Sequence, residues 1–465
     1  MRQEIADAVL LRSLLNFFSI SNNPTVSLRY RAPSAFAALE GGATLALSAL
    51  SEGRDEPFFQ GRVRQPRLTA RSLACVSRVV GERWFDAKVI AKARLMDPLV
   101  TSGDGILRFE GFSGCRSLYV RLDLLPESLE PIHQSSGTTN VDFNQPMRTA
   151  LTRVRDSDAL SLAVDERAFV MVHGSESILE RKVELPLAWL RGLASIPIIS
   201  SRCEAVAELS GVPMLDLFRN LPRTGNGRET HWLQPVANGI RISRTPSKDS
   251  IRLTGAKRLL ALLELVPTAR KLSIASPPGG ELTLWTLHFD GLRLTLALSP
   301  EVWRGFSGEG AALDDLSREA QPDLEEALIQ QFESGFIADE AAIALGVSLP
   351  EIRTSLALLA SQGQLGFDHL DGKWFRRMLP GKQALIRQSN PRLSKAEAWV
   401  AAGAVAVESD LNDRVRGRVR IDADTEHHVA IEPDGGAQCT CFWFGKFGLS
   451  RGPCSHIMAL RLATR

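Results

Sequence analysis

The sequence predicts a multidomain α+β protein: an N-terminal α+β region, a segment of three helices and a hairpin, and a small C-terminal unit built on cysteine and histidine. Three observations predict it. Through residues 1–310, alternating apolar strands run into a proline that opens a short helix, and this unit recurs. Over 321–380, three stretches of helical period precede a hairpin with an Asp371-Gly372 turn. Near the C-terminus, Cys439, Cys441, Cys454 and His456 crowd one short window.

Composition narrows the function classes. A chain of 465 residues is long enough for two to four domains. Its 44% apolar and 23% charged content is that of an ordinary globular chain. A net charge of +2 gives no global polyelectrolyte signal for nucleic acid or membrane. No apolar run approaches the roughly 18 residues of a membrane span. Glu4 and Asp7 interrupt the N-terminus, so a signal peptide is not expected. Cys75, Cys115 and Cys203 are scattered and read as reduced thiols, which suits the cytoplasm.

Taken in order, residues 1–18 have helical spacing at Ile5, Val9, Leu10 and Leu14. Residues 34–39 and 67–82 read as two more helices, with strand 44–50 between them. Arg62, Arg64, Arg67 and Arg71 form either a solvated face or a phosphate-binding patch. The recurring strand–proline–helix unit appears at Pro126, at Pro186 before Trp189, and at Pro300 before Trp303; both tryptophans read as core anchors. Gly-Phe-Ser-Gly at 111–114 and 305–308 hints at a duplicated unit. Strict alternation over 292–298 predicts a half-buried antiparallel strand. Residues 221–230 read as an exposed loop. Asn140, Asp142 and Asn144 read as a hydrogen-bonded turn, since no bidentate Glu closes a cation loop.

Helices over 324–332, 338–345 and 349–362, then the hairpin, resemble a winged helix-turn-helix. Such domains use the third helix to read DNA. The charge argues against that use. Residues 321–380 carry 4 Lys+Arg against 9 Asp+Glu, a net of −5, and phosphate neutralisation is the usual source of affinity. A protein-contacting or structural role is expected. Arg376 and Arg377 in the wing keep the DNA reading open.

The Cys/His window supplies the chemistry. Cys439 and Cys441 lie at i and i+2, the same side of an extended strand. Cys454 and His456 would diverge by about 200° on a helix, so Cys454 belongs in a cap and His456 in the first turn. Cys3His is a usual structural zinc set, and one structural Zn2+ is expected. With four protein ligands the site is closed, unlike a catalytic zinc with a water position. His427 and His428 lack ligand spacing.

C-x-C followed by C-x-H in a strand–helix setting resembles the SWIM zinc finger, with Cys439, Cys441, Cys454 and His456 as its ligands. The order of parts, with Gly137-Thr-Thr-Asn-Val-Asp-Phe-Asn144 and Trp303-Arg-Gly-Phe-Ser-Gly-Glu-Gly310, resembles the bacterial SWIM zinc finger family proteins. That resemblance implies DNA or protein binding, and a MoxR-type AAA+ ATPase or a von Willebrand factor A (VWA) protein as partner. The expected domains are an α+β domain at 1–197, a second α+β unit at 198–310, a winged-helix-like domain at 311–380, a connector at 381–398 and the finger at 399–465.

Two surfaces of the finger are candidates for binding. Arg414, Arg416, Arg418 and Arg420 alternate on one strand face. They either track phosphates or pair with Asp413, Asp422, Asp424 and Glu426; acids and bases over 399–465 balance at 8 each. Between the ligand pairs, Trp443, Lys446 and the neighbouring phenylalanines offer a surface for a base or a partner side chain. The chain shows no H-E-x-x-H, Walker A, G-x-S-x-G or complete G-x-G-x-x-G motif, so no enzyme is expected. The expected function is a zinc-binding adaptor for a protein partner; the alternative is a nucleic-acid binder using the arginine strand.

Overall fold

The structure is a computed structural model. It describes residues 25–29, 35–39, 42–48, 58–82, 98–140, 143, 145–165, 182–225, 228–237, 239–278, 282–300, 306, 321–379, 391–409, 414–433, 436–449 and 452–464. The expected helix at 1–18, and Trp303, Asp142 and Asn144, lie outside these residues.

The centre is an eight-stranded antiparallel sheet. Its spatial order is Glu204–Ser210, Lys271–Ser276, Thr283–Phe289, Leu292–Leu298, Leu118–Leu124, Ile106–Phe112, Leu99–Gly103 and Gly137–Asn140. Two three-stranded meanders, one from each α+β stretch, meet last strand to last strand, from Leu292 opposite Leu124 to Leu298 opposite Leu118. One sheet therefore runs across residue 197. Both meanders run on into a proline, and Pro126 opens the 3-10 turn Pro126–Ser128.

Strand alternation gives this sheet one apolar and one polar face. Phe109, Val120, Leu122, Leu294 and Leu296 point to the first and are fully buried. Helix Pro66–Gly81 covers it with Leu73, Val76, Val79 and Val80. Arg108, Glu110, Tyr119, Arg121, Asp123, Arg293 and Thr295 point to the second. Here the expectation of a half-buried strand is corrected: all of Leu292–Leu298 is buried. Helix Leu187–Ser200 and the hairpin Leu365–Asp368/Lys373–Arg376 lie over the polar face; the hairpin brings the carboxylates of Asp368 and Asp371, and the helix the Leu193 carbonyl. Arg293 meets Asp368 at 2.7 Å and Asp371 at 3.1 Å. Arg121 reaches Asp368 at 3.3 Å and donates to the Phe367 carbonyl at 2.7 Å. Arg108 lies 4.0 Å over the Phe375 ring. Burial alone would push the Asp368 carboxyl up, but Arg121, Arg293 and Arg108 hold it well below the carboxylate range. Burial and Arg121 push His369 down to about 3, so its ring is neutral, 3.2 Å from the Thr286 hydroxyl.

Three helices precede the hairpin: Pro322–Gln331, Ala338–Leu345 and Leu349–Ser361. Gly346 ends the second in the left-handed conformation its φ of 68° requires. Ser348 and Glu351 form a capping box on the third. The third helix exposes Arg353 but buries Ile352 and all of 354–361, packed on helix Leu187–Ser200. The surface a DNA reader would present is thus interior. The wing arginines are held as well, Arg376 half-buried and Arg377 buried. Arg376 donates to the Ile329 carbonyl. Arg377, 1% exposed, binds both Glu110 oxygens at 2.8 and 3.0 Å and the Leu193 carbonyl at 2.6 Å. The expectation that the wing arginines leave a route to DNA is thus corrected for Arg377, whose guanidinium is consumed in the interior.

A second correction concerns residues 34–39. Ala35–Leu39 is a strand, paired antiparallel with Gly42–Ser48 in a five-stranded sheet; that pairing overrides the helix preference of its alanines. Trp189 is fully buried against Phe112, as a core anchor should be. No single described helix is long and apolar enough to cross a membrane.

Candidate metal centre

The C-terminal unit is a four-stranded antiparallel sheet, Val405–Ser409, Val415–Arg420, Glu426–Ile431 and Ala437–Cys439, packed on helix Ser455–Ala463. Val419, Val429 and Ala437 face Ile457, Met458 and Leu460 across a small core. Gly417 sits in this core because a Cβ there would run into Leu460 and the Ala406 carbonyl. Helix Pro391–Ala401 belongs to the same unit: Leu393 and Ala396 are fully buried in its core. The expected connector at 381–398 is therefore half occupied by this helix.

Each ligand is placed by local structure. Cys439 ends its strand, and Cys441 caps helix Phe442–Phe447, its sulfur accepting from the Phe444 N–H at 3.3 Å. This helix occupies the stretch between the ligand pairs. Cys454 caps helix Ser455–Ala463, which puts His456 in its first turn, where the C-x-H spacing placed them. The four ligand atoms lie within 4.8 Å of one another. Nδ1 of His456 is 3.7 Å from Cys439 Sγ and 3.9 Å from Cys454 Sγ. A tetrahedron with Zn–S of about 2.3 Å and Zn–N of about 2.0 Å has S–N edges of about 3.5 Å, so the residues fit a zinc ion with little movement. The hydrogen bond from Cys439 pulls the Cys454 thiol down to about 4, while that same bond and burial push Cys439 up. A divalent cation takes the place of the protons the cluster shares.

Residues 427–463 match the family model of the SWIM zinc finger. This segment is a SWIM zinc finger. Its Cys3His cluster holds one structural zinc ion. The matched span starts at His427, yet strands Val405–Ser409 and Val415–Arg420 and helix Pro391–Ala401 complete the finger's core. No curated protein matches the chain. Among solved structures, the proliferating cellular nuclear antigen of Entamoeba histolytica aligns at 11% identity, over 53% of this chain and 100% of its own, with a TM-score of 0.33.

The arginine strand is largely answered by glutamates. Arg414 Nε donates to Glu432 at 2.7 Å. Arg418 meets Glu408 at 3.1 Å and Glu426 at 3.6 Å; Arg420 meets Glu426 at 3.9 Å. Arg416 stands opposite Glu408 in register. Of the acids named from sequence, Glu426 is in place; Asp422 instead accepts from the N–H groups of Asp424 and Thr425 and closes the turn. Trp443 lies beneath the Arg392 guanidinium at 4.8 Å, and the Lys446 ammonium sits 5.3 Å from the Phe447 ring. Phe442 is 85% exposed.

Sequence reasoning missed the support around the ligand histidine. Trp399 stacks on His456 at 4.8 Å and 15°, and His427 packs on it at 4.4 Å. Arg392 holds the turn before Cys454 through the Pro453 carbonyl at 2.9 Å. The spacing of Leu393, Ala396 and Val400 carried the signal for the helix that brings Trp399 and Arg392 there.

Proposed function

We propose that the chain is a non-enzymatic interaction protein whose SWIM finger docks another protein. One observation carries this reading: the outward face of the finger sheet is close to neutral. Arg414, Arg418 and Arg420 face Glu432, Glu408 and Glu426, so a phosphate would have to displace a carboxylate at these three, which removes most of the counterion-release gain. The same face forms an open groove of about 860 Å³ between Arg416, His428, Gln438 and Thr440 on the floor and Phe444 and Leu449 on the wall. Mixed charge beside exposed apolar side chains suits a peptide chain. Four protein ligands fill the zinc tetrahedron, which supports a structural rather than a catalytic ion.

The partner class implied by the family resemblance, a MoxR-type AAA+ ATPase or a VWA protein, is the first to assay. Purified candidates are titrated against the zinc-loaded full chain and against Phe442→Asp/Leu449→Asp. Binding lost in the variant supports the reading. DNA binding abolished by Arg416→Ala/Arg418→Ala, with no protein bound, replaces it with the nucleic-acid alternative.

A further inference from the structure

A basic stretch of the chain lies away from the finger. Between residues 223 and 257 the sequence has seven Lys and Arg (Arg223, Arg228, Arg241, Arg244, Lys248, Arg252, Lys257) against two acids, Glu229 and Asp249. The net of +5 exceeds that of the whole chain, +2. Arg241 and Arg252 lie in a three-stranded antiparallel sheet in the order Gly239–Ser243, Thr230–Val236, Ile251–Thr254; Arg244 and Lys248 lie in its 244–250 connection, and Arg223, Arg228 and Lys257 flank it in sequence.

Register separates the two faces of this sheet. Leu233 and Leu253 are buried in the main core, with Ile240, Ile242 and Ile251 packed against it. The opposite face carries Trp232, directly across from Arg252 on one side and Ser243 on the other. Arg241 stands across from Gln234, one same-face position along. Opposite residues on a sheet are about 5 Å apart and diagonal ones about 7–8 Å, so Arg252 and Arg241 share the face with the indole; Arg241 donates to the Gln234 side-chain oxygen at 2.8 Å. Val236, 45% exposed, continues the face. The connection 244–250 folds back and is pinned by Gln234, which donates to the Thr245 carbonyl at 2.8 Å. Arg244 and Lys248, both exposed, belong to this connection. Among the described residues, Arg223, Arg244, Lys248 and Arg252 have no acidic partner, and the Trp232 ring has no aromatic or cationic one.

We infer that this face binds single-stranded nucleic acid. Cations without an acidic partner beside a half-buried aromatic ring on a sheet face supply both parts such binding needs: charge that tracks phosphates and a platform on which a base stacks. A flat face with its indole at the centre has nothing to insert into a duplex groove, where a helix or ribbon would be required. The inference goes beyond the protein-docking reading of the finger, uses other residues, and stands or falls separately.

The test titrates the zinc-loaded full chain with a fluorescein-labelled 15-nucleotide oligo(dT) at low and moderate salt. Binding is expected to weaken with salt. Arg241→Ala/Arg252→Ala is expected to lower affinity at least tenfold and to reduce the slope of log K against log salt by about 1.4, for two phosphate contacts at about 0.7 each. Trp232→Leu is expected to cost about fivefold or more, with Trp232→Phe restoring part of it. Arg416→Ala/Arg418→Ala is expected to leave binding unchanged. These side chains are exposed or half-exposed, and circular dichroism of each variant checks its fold. No binding at low salt, affinity indifferent to the Trp232 and Arg241/Arg252 changes, a duplex bound more tightly than the single strand, or equal displacement by polyglutamate would each overturn the inference.

Discussion

Arg377→Ala tests whether the helix–hairpin unit is welded to the central sheet or stands free of it. Arg377 was read from sequence as a wing residue, where truncation costs under about 0.5 kcal/mol. In the structure its guanidinium is buried and donates to both Glu110 oxygens, to the Leu193 carbonyl at 2.6 Å and to the Leu365 carbonyl at 3.4 Å. Truncation leaves the Glu110 carboxylate buried with the Tyr119 hydroxyl, at 2.6 Å, as its remaining side-chain donor. Breaking a buried pair from one side costs about 3–5 kcal/mol. For a chain of 465 residues that lowers Tm by roughly 3–5 °C. Urea unfolding followed by tryptophan fluorescence and circular dichroism reads the loss, and Arg377→Met/Glu110→Gln should regain about half of it, since no carboxylate is then stranded. A loss under 1 kcal/mol for Arg377→Ala, or a double variant worse than the single, would refute the buried-pair account.

Other consequences are as specific. Cys454→Ser should take bound zinc from one ion per chain to near zero by elemental analysis and unfold helix Ser455–Ala463, because ligand loss is coupled to local folding. Full zinc content with full local order would count against the ligand set. Gly417→Val should collide with Leu460 and destabilise the finger by about 1–3 kcal/mol, read as faster zinc loss to a chelator; an unchanged rate contradicts the packing. Stability should also fall on acidification earlier than carboxylates alone predict. His369 sits at about 3 when folded against 6.5 unfolded, so the unfolded chain binds the proton first. That contribution is complete above pH 6.5 and is lost as pH falls towards 3, at up to about 1.4 kcal/mol per pH unit. In His369→Gln the urea midpoint should be flatter between pH 6.5 and 4.5; a parallel profile removes His369 as the cause.

What could be read from the sequence was whatever short-range chemistry decides. The cap and first-turn positions of Cys454 and His456 follow from two residues and helix geometry. The start of helix Leu349–Ser361 follows from Ser348, Pro350 and Glu351. What could not be read depends on partners far along the chain. Arg121 and Asp123 look like the solvent side of an alternating strand, and only the hairpin, 246 residues later, turns that side into an interior. The same docking consumed Arg377 and buried the third helix. Ala35–Leu39 has helix-forming residues and became a strand through pairing with Gly42–Ser48. The charge excess around Trp232 was present in the sequence, but its concentration on one sheet face needed the register of three short strands.

The account rests on a closed Cys3His zinc, and X-ray absorption at the zinc edge of the full chain tests it most directly. The account predicts one zinc with three sulfur neighbours at about 2.3 Å and one nitrogen at about 2.0 Å, unchanged on adding small oxygen or nitrogen ligands. Two or fewer sulfurs, or a fourth neighbour that exchanges with added ligand, would mean an open site, and would contradict the structural role of the ion and the non-enzymatic reading built on it.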